Sequence, residues 1–250
     1  MDELMPVLQE PVKKKKTNIK LIVIVVLLFL AILAVLFFNS SISKISEIRI
    51  TGAQFAKNED IVKASGISVG DAFFQFSTST IKVRVETLPE VETAQITKKF
   101  PGVINITLKE QAAVAFELSE EGHRIALLAN GTSVDASDVS NLLIDKPVLT
   151  DWEKDDPIKK ELAIKLASIP SKQLSDLSEI LPIPSKAYPD RIRMYTRTRF
   201  EVITAVSVLT EKIEALNAVI ETQEPGKITM LLADTYVPFD PDEDSDVQSN

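Results

Sequence analysis

The sequence predicts an α+β protein: a single N-terminal transmembrane helix, a small βααββ unit, then a mixed β-sheet domain with packed helices. Three observations carry this prediction. Leu21 to Phe38 (LIVIVVLLFLAILAVLFF) is an unbroken run of 18 apolar residues. Residues 45–110 switch between strand and helix periodicity in the order strand, helix, helix, strand, strand. Beyond residue 117 alternating segments dominate, with two helical stripes set between them. A chain of 250 residues, 45% apolar and 26% charged, has the material for one or two packed domains.

The same counts exclude much chemistry. With no cysteine there is no thiol nucleophile, disulfide framework or thiolate metal site. With one histidine, any Ser-His-Asp triad must pass through His123. The seven glycines fall at 52, 66, 70, 102, 122, 131 and 226, none in a phosphate-cradling pattern. No cofactor or metal is expected, and no enzymatic activity.

The apolar run rises ~27 Å as a helix, close to the ~30 Å hydrocarbon core of a bilayer. A cleaved signal peptide is shorter and ends in small residues, whereas Phe37 and Phe38 stand at that place. The run is therefore read as a retained span over 21–39. The net charge of −8 divides across it. Residues 1–20 carry five lysines (Lys13, Lys14, Lys15, Lys16 and Lys20) against three acids, and the remainder carries 23 bases against 33 acids. By the positive-inside rule that places residues 1–20 in the cytoplasm and the bulk outside. An exterior this acidic is a poor match for nucleic acid.

In Ile45–Gly52, Ile48 and Ile50 share one face of a strand that Gly52 ends. Asn58 is the expected cap of a short helix that stops near Gly66. Gly70-Asp71 turns the chain, after which Phe73, Phe74 and Phe76 are expected in the core. Ser77 or Ser79 caps a second helix carrying Ile81, Val85 and Leu88, terminated by Pro89. Val91–Lys98 and Val103–Glu110 are paired strands around the Phe100-Pro101-Gly102 turn. The apolar Ala113–Phe116 is read as the last piece of this unit, which spans 44–116.

The second unit, 117–239, begins with a hairpin, Arg124–Leu128 and Thr132–Asp135, about Asn130-Gly131. Pro147–Thr150 is a short strand. Asp156 and Pro157 open a helix with Ile158, Leu162, Leu166 and Ile169 as its stripe. The acids Asp151, Glu153, Asp155 and Asp156 suit a helix start better than a metal site. Asp190–Thr196 and Arg199–Ile203 alternate cleanly, with Arg191 and Arg193 opposite Ile192 and Met194. A helix from Ser207 presents Leu209, Ile213, Leu216 and Ile220. Lys227–Ala233 reads as a final strand with Ile228, Met230 and Leu232 inward, extended by Tyr236–Phe239. Residues 240–250 form an acidic tail expected to be disordered.

The pieces "ITG", "SGISVGDAFF" and "LPEVETAQITKKFPGVINITLKEQ" resemble a POTRA module, a small domain that binds other polypeptides. With "KPVLTDW", "DRIRMYTRTRFEVITAVSVLTEKIEALNAVI" and "EPGKITMLLADTYVPF", the chain is similar to the DivIB/FtsQ family of bacterial division proteins. That resemblance implies a divisome scaffold at the septum. It implies binding of FtsL-like and FtsB/DivIC-like bitopic partners by strand addition at the end of the β domain. The residues implicated are Thr229, Leu231, Leu232, Asp234, Tyr236, Val237 and Phe239. A last strand on a sheet edge has unpaired main-chain groups for such a partner, with Thr229 and Leu231 facing outward and Tyr236 and Phe239 as anchors. Two other classes compete: an envelope enzyme acting on peptidoglycan, and a POTRA-bearing export or assembly adaptor.

Overall fold

None of the 21 residues of helix α1 (Ile19–Asn39) is buried among the described residues. The computed structural model describes residues 18–119, 121–137, 139 and 146–240. Lys20 lies in the first turn of α1, while Lys13 to Lys16 and the tail from 241 lie outside the described residues. The helix ends without a flexible break. Ser40 leaves the helical region, Ser41–Ser43 form a 3₁₀ turn, and the buried Ser43 hydroxyl donates to Phe38 O (2.8 Å) and Ser40 O (2.9 Å).

Next come β1 (Glu47–Thr51), α2 (Asn58–Ser65), α3 (Thr78–Val85), β2 (Val91–Lys99) and β3 (Val103–Glu110). The three strands form one sheet in the order β1-β3-β2. The strand β1 runs parallel to β3, with Ile48 opposite Ile104, and β2 runs antiparallel to it. The helices cover one face, where Ile61, Ile81 and Val85 bury against Ile104, Ile106 and Leu108. Ser77 caps α3 by accepting from Thr80 N (3.1 Å). Gly66, at φ 67°, supplies the left-handed residue that closes α2. Lys57, not Asn58, is the residue before α2, and Asn58 is its first helical residue. The loop ahead of α2 is held elsewhere: the Glu110 carboxylate accepts from Gln54 N, Phe55 N and Ala56 N at 2.8–2.9 Å. Phe73 is buried and Phe76 packs on the same core, but Phe74 is 56% exposed, because the chain turns here and only Phe73 is directed at the sheet core.

A second sheet of nine strands holds the rest. In chain order these are β4 (Ala113–Leu118), β5 (Arg124–Leu128), β6 (Ser133–Asp135), β7 (Val148–Leu149), α4 (Pro157–Ser168), α5 (Ser171–Leu174) and β8 (Leu177–Pro182). Then follow β9 (Arg191–Thr196), β10 (Glu201–Ala205), α6 (Leu209–Thr222), β11 (Gly226–Met230) and β12 (Asp234–Pro238). The order across the sheet is β12-β11-β10-β9-β8-β7-β4-β5-β6. Ala113–Phe116 therefore belongs to this sheet, not to the first unit. The strand β4 pairs with β5 and β7, so the border falls at Gln111-Ala112.

The helices α4 and α6 lay Leu162, Leu166, Ile213 and Leu216 on Ile180, Ile192, Met194, Val202 and Ile228 to form the main core. The Asp156 carboxylate accepts from Ile158 N (2.8 Å), with Pro157 at the first helical position of α4. The turn into α6 is capped from a distance, as Asp190 Oδ2 accepts from Ser207 N (2.8 Å). Ile220 is only half-buried.

The C-terminal strand reads differently from expectation. The strand β11 stops at Met230, residues 231–233 turn the chain, and β12 returns antiparallel to β11. Leu232 is thus not a core residue. It sits at the hairpin tip, 93% exposed. Alternation continues through the tip, so periodicity alone does not reveal the reversal.

Candidate functional site: a sheet edge at the C-terminal hairpin

Among the described residues β12 is the outermost strand of the nine-stranded sheet and has β11 on one side only. Phe239 N donates to Pro225 O (3.1 Å), which makes the Pro225–Phe239 pair a hydrogen-bonded one. Such pairs recur every second residue of an antiparallel ladder. The register Lys227↔Val237 and Thr229↔Thr235 therefore bonds those residues to β11. Asp234 and Tyr236 point their N–H and C=O groups to the free edge, and Pro238 adds only a carbonyl there. This is a short edge, receptive at Asp234 and Tyr236 and stopped by proline.

The side chains divide by face. Tyr236 turns toward the core, where it packs beside Ile228, and its Oη donates to Glu224 O (2.8 Å). Gly226 makes room for that ring. A Cβ there would lie 2.7 Å from Tyr236 Cε2 and 2.8 Å from Pro238 Cα, and closer still to Val237 O. Thr235, Val237 and Phe239 occupy the other face, with Val237 60% and Phe239 44% exposed. Across the sheet Val237 stands opposite Lys227, and Lys227 opposite Glu201. Glu201 pairs with Lys227 (3.4 Å) and with Arg193 (3.1 Å), giving this face a polar floor beside an apolar edge.

The sequence-expected residues do not all meet at the edge. Thr229 lies in β11, flanked by β10 and β12, so its main chain is already paired. Leu231 is half-buried in the turn, also away from the edge. Asp234 is held by Lys212 of α6 (2.9 and 3.0 Å), which ties the hairpin to the helix. Leu232, Val237 and Phe239 are the exposed apolar side chains of the hairpin. Arg191 is also committed internally, its Nε donating to Ile183 O (2.9 Å).

Two arrangements escaped the sequence reading. Lys159 is buried on α4 and pairs with Glu117 of β4 at 3.0 Å. Its spacing with Leu162, Ala163 and Leu166 is that of one helix face, so periodicity carried the signal and residue type concealed it. Lys98 reaches from β2 to donate to Phe73 O (2.6 Å) and Phe76 O, and lies 5.1 Å above the Phe73 ring. Burial lowers its pKa.

His123 lies near a serine and an aspartate, but in the wrong order for catalysis. Its Nδ1 is 3.4 Å from Ser137 Oγ, and its Nε2 is 3.5 Å from Glu121. Asp135 is bonded to Ser137, not to the imidazole, and hydrogen bonds from that hydroxyl and N–H lower its pKa. A triad needs the carboxylate on the histidine, to orient the ring and stabilise its cation. Asp151, Glu153, Asp155 and Asp156 form no three-ligand group among the described residues.

An anchored chain whose small helix-covered sheet leads into a large one with an open edge belongs to the single-span, POTRA-bearing class. The family described as "POTRA domain, FtsQ-type" matches residues 43–111. The chain is 47% identical over 237 residues to the cell division protein DivIB of Paenibacillus polymyxa, covering 95% of this chain and 93% of that protein. It is 26% identical over 241 residues to DivIB of Brevibacillus brevis, covering 95% of this chain and 91% of that protein. A solved structure of the major extracytoplasmic domain of DivIB from Geobacillus stearothermophilus aligns at 26% identity with a TM-score of 0.39, over 44% of this chain and 92% of that one. The chain belongs to the DivIB/FtsQ family of bacterial cell-division proteins.

Proposed function

We propose that this chain is a non-enzymatic scaffold of the divisome. Its β12 edge receives a strand from bitopic division partners, FtsL-like and FtsB/DivIC-like, and so links septum formation to cell-wall synthesis. The observation that carries the reading is the edge itself. Main-chain groups of Asp234 and Tyr236 face outward beside the exposed Val237 and Phe239. A partner strand would satisfy the former and cover the latter. The lysines Lys13 to Lys16 and Lys20 favour a cytoplasmic N-terminus, which places both sheets outside, where the outer segments of bitopic partners lie.

Two measurements test this. A fluorescent fusion of the full chain should concentrate at the septum of dividing cells, and an even membrane signal throughout the cycle would count against it. Co-purification of the tagged full chain should recover FtsL-like and FtsB/DivIC-like proteins. Deletion from Thr235 should abolish that recovery while α1 and the first sheet persist, and undiminished recovery would move the interface away from β12.

A further inference from the structure

The end of the small sheet next to α1 carries apolar side chains that remain exposed. Phe74 is 56%, Phe100 57%, Val69 65% and Ile42 51% exposed, although Phe73 beside them is buried. These residues come from three loops that the fold gathers at one place. Phe74 and Phe100 stack with ring centroids 6.5 Å apart, and both contact Phe73, at 5.1 and 6.2 Å. Phe74 also lies 6.3 Å from Phe37, in the last turn of α1.

The loops are fastened to the end of that helix by main-chain bonds. Phe73 N donates to Ser43 O, Ile45 N to Asp71 O and Gly70 N to Ile45 O, each at 2.8 Å. Ser46 N donates to Gly102 O at 2.8 Å, which brings in the 100–102 turn. Lys98 pins residues 73–76 from the other side. The patch therefore sits at the depth where the apolar span runs out. Lys44 and Lys99 are exposed at its margin, and the loop's acid, Asp71, is half-buried and accepts from Ser68 N (2.8 Å).

Exposed apolar side chains, Phe among them, flanked by lysines are what a surface-lying segment buries at the boundary between headgroups and acyl chains. We infer that Phe74 and Phe100, with Ile42 and Val69, insert into the outer leaflet beside α1. They thereby seat the first sheet directly on the lipid surface, and the occupant of the patch is the membrane that α1 itself spans. This rests on the reading of α1 as a transmembrane helix.

The test uses the full chain in phosphatidylglycerol/phosphatidylethanolamine vesicles. The single native tryptophan is replaced (Trp152→Phe), and Phe74→Trp or Phe100→Trp is introduced as reporter in turn. The expected result at both positions is a blue-shifted emission that loses intensity when the vesicles contain lipids brominated near the head group. Leu118→Trp, an exposed site in the second sheet, should keep its emission. Water-like, unquenched emission at both patch positions overturns the inference. So does a blue shift without quenching, which would place a second copy of the chain over the patch. Equal quenching at residue 118 overturns it as well, since the whole exterior would then lie on the bilayer. Carbonate extraction separates the two readings. Release of the chain removes the span, whereas retention with no quenching removes only the patch.

Discussion

Phe239→Ala separates the binding role of the C-terminal edge from its structural role. Phe239 is 44% exposed on the open face of β12. An aromatic residue presents ~200 Å², so a partner strand that covers it removes ~90 Å² from water. At ~25 cal/mol per Å² this contributes about 2 kcal/mol, or about a 30-fold change in Kd. The free chain loses little, within about 0.5 kcal/mol, because the side chain is on the surface. Tyr236→Ala behaves differently. It removes a ring packed on the core and the Oη hydrogen bond to Glu224, about 2–3 kcal/mol together, so stability and binding fall jointly. The assay is titration of the purified full chain with the partner's outer segment, alongside thermal unfolding. Phe239→Ala should weaken binding with an unshifted melting curve. If both Phe239→Ala and Val237→Ala bind within about twofold of the parent, the edge argument is wrong.

Three further outcomes follow from the packing. Gly226→Val should push β12 off β11, costing about 1–3 kcal/mol and accelerating hydrogen exchange across 234–238, because the added atoms meet Tyr236 and Pro238. Lys159→Met should cost about 3–5 kcal/mol by leaving the Glu117 carboxylate buried and unpaired, and Lys159→Met with Glu117→Leu should recover most of it. Urea unfolding followed at Trp152, whose Nε1 donates to Ile180 O (3.1 Å), reports both. Asp190→Asn should cost about 1 kcal/mol near neutral pH, the difference between a hydrogen bond to a charged acceptor and one to a neutral acceptor. Burial opposes ionisation of Asp190, but hydrogen bonds from the Ser207 hydroxyl and N–H outweigh it and hold the carboxyl below the usual aspartate range. A depressed carboxylate pKa adds stability above its unfolded value, lost as pH falls through the folded one. The gap between parent and variant should thus be constant above about pH 5 and close only below that value.

Much of this architecture is legible locally. The helix α1 is one long apolar run, α3 begins at a serine that caps it, and the turn at Asn130-Gly131 joins two short strands with Gly131 at φ 83°. The errors fall where a residue's fate depends on something distant. Phe74 and Phe73 are the same residue type in adjacent positions, and only the fold of three loops makes one core and the other surface. Ala113–Phe116 is apolar enough for either unit, and its pairing with β5 and β7 decides. Asp190 caps a turn 17 residues away, with no local signature.

The candidate site shows the same division. Sequence alone determined the apolar N-terminal helix, the charge asymmetry, the order of the elements in the first sheet and the family resemblance, because each is written in contiguous residues. It also pointed to the segment 229–239. Only the tertiary structure decided what that segment is: a hairpin whose tip is Leu232, whose inner strand holds Thr229 and whose outer strand carries the free edge. The physical reason is that alternation assigns faces within a strand but says nothing of direction or neighbours. A reversal at 231–233 preserves the period while exchanging which main-chain groups are paired and which are left to a partner.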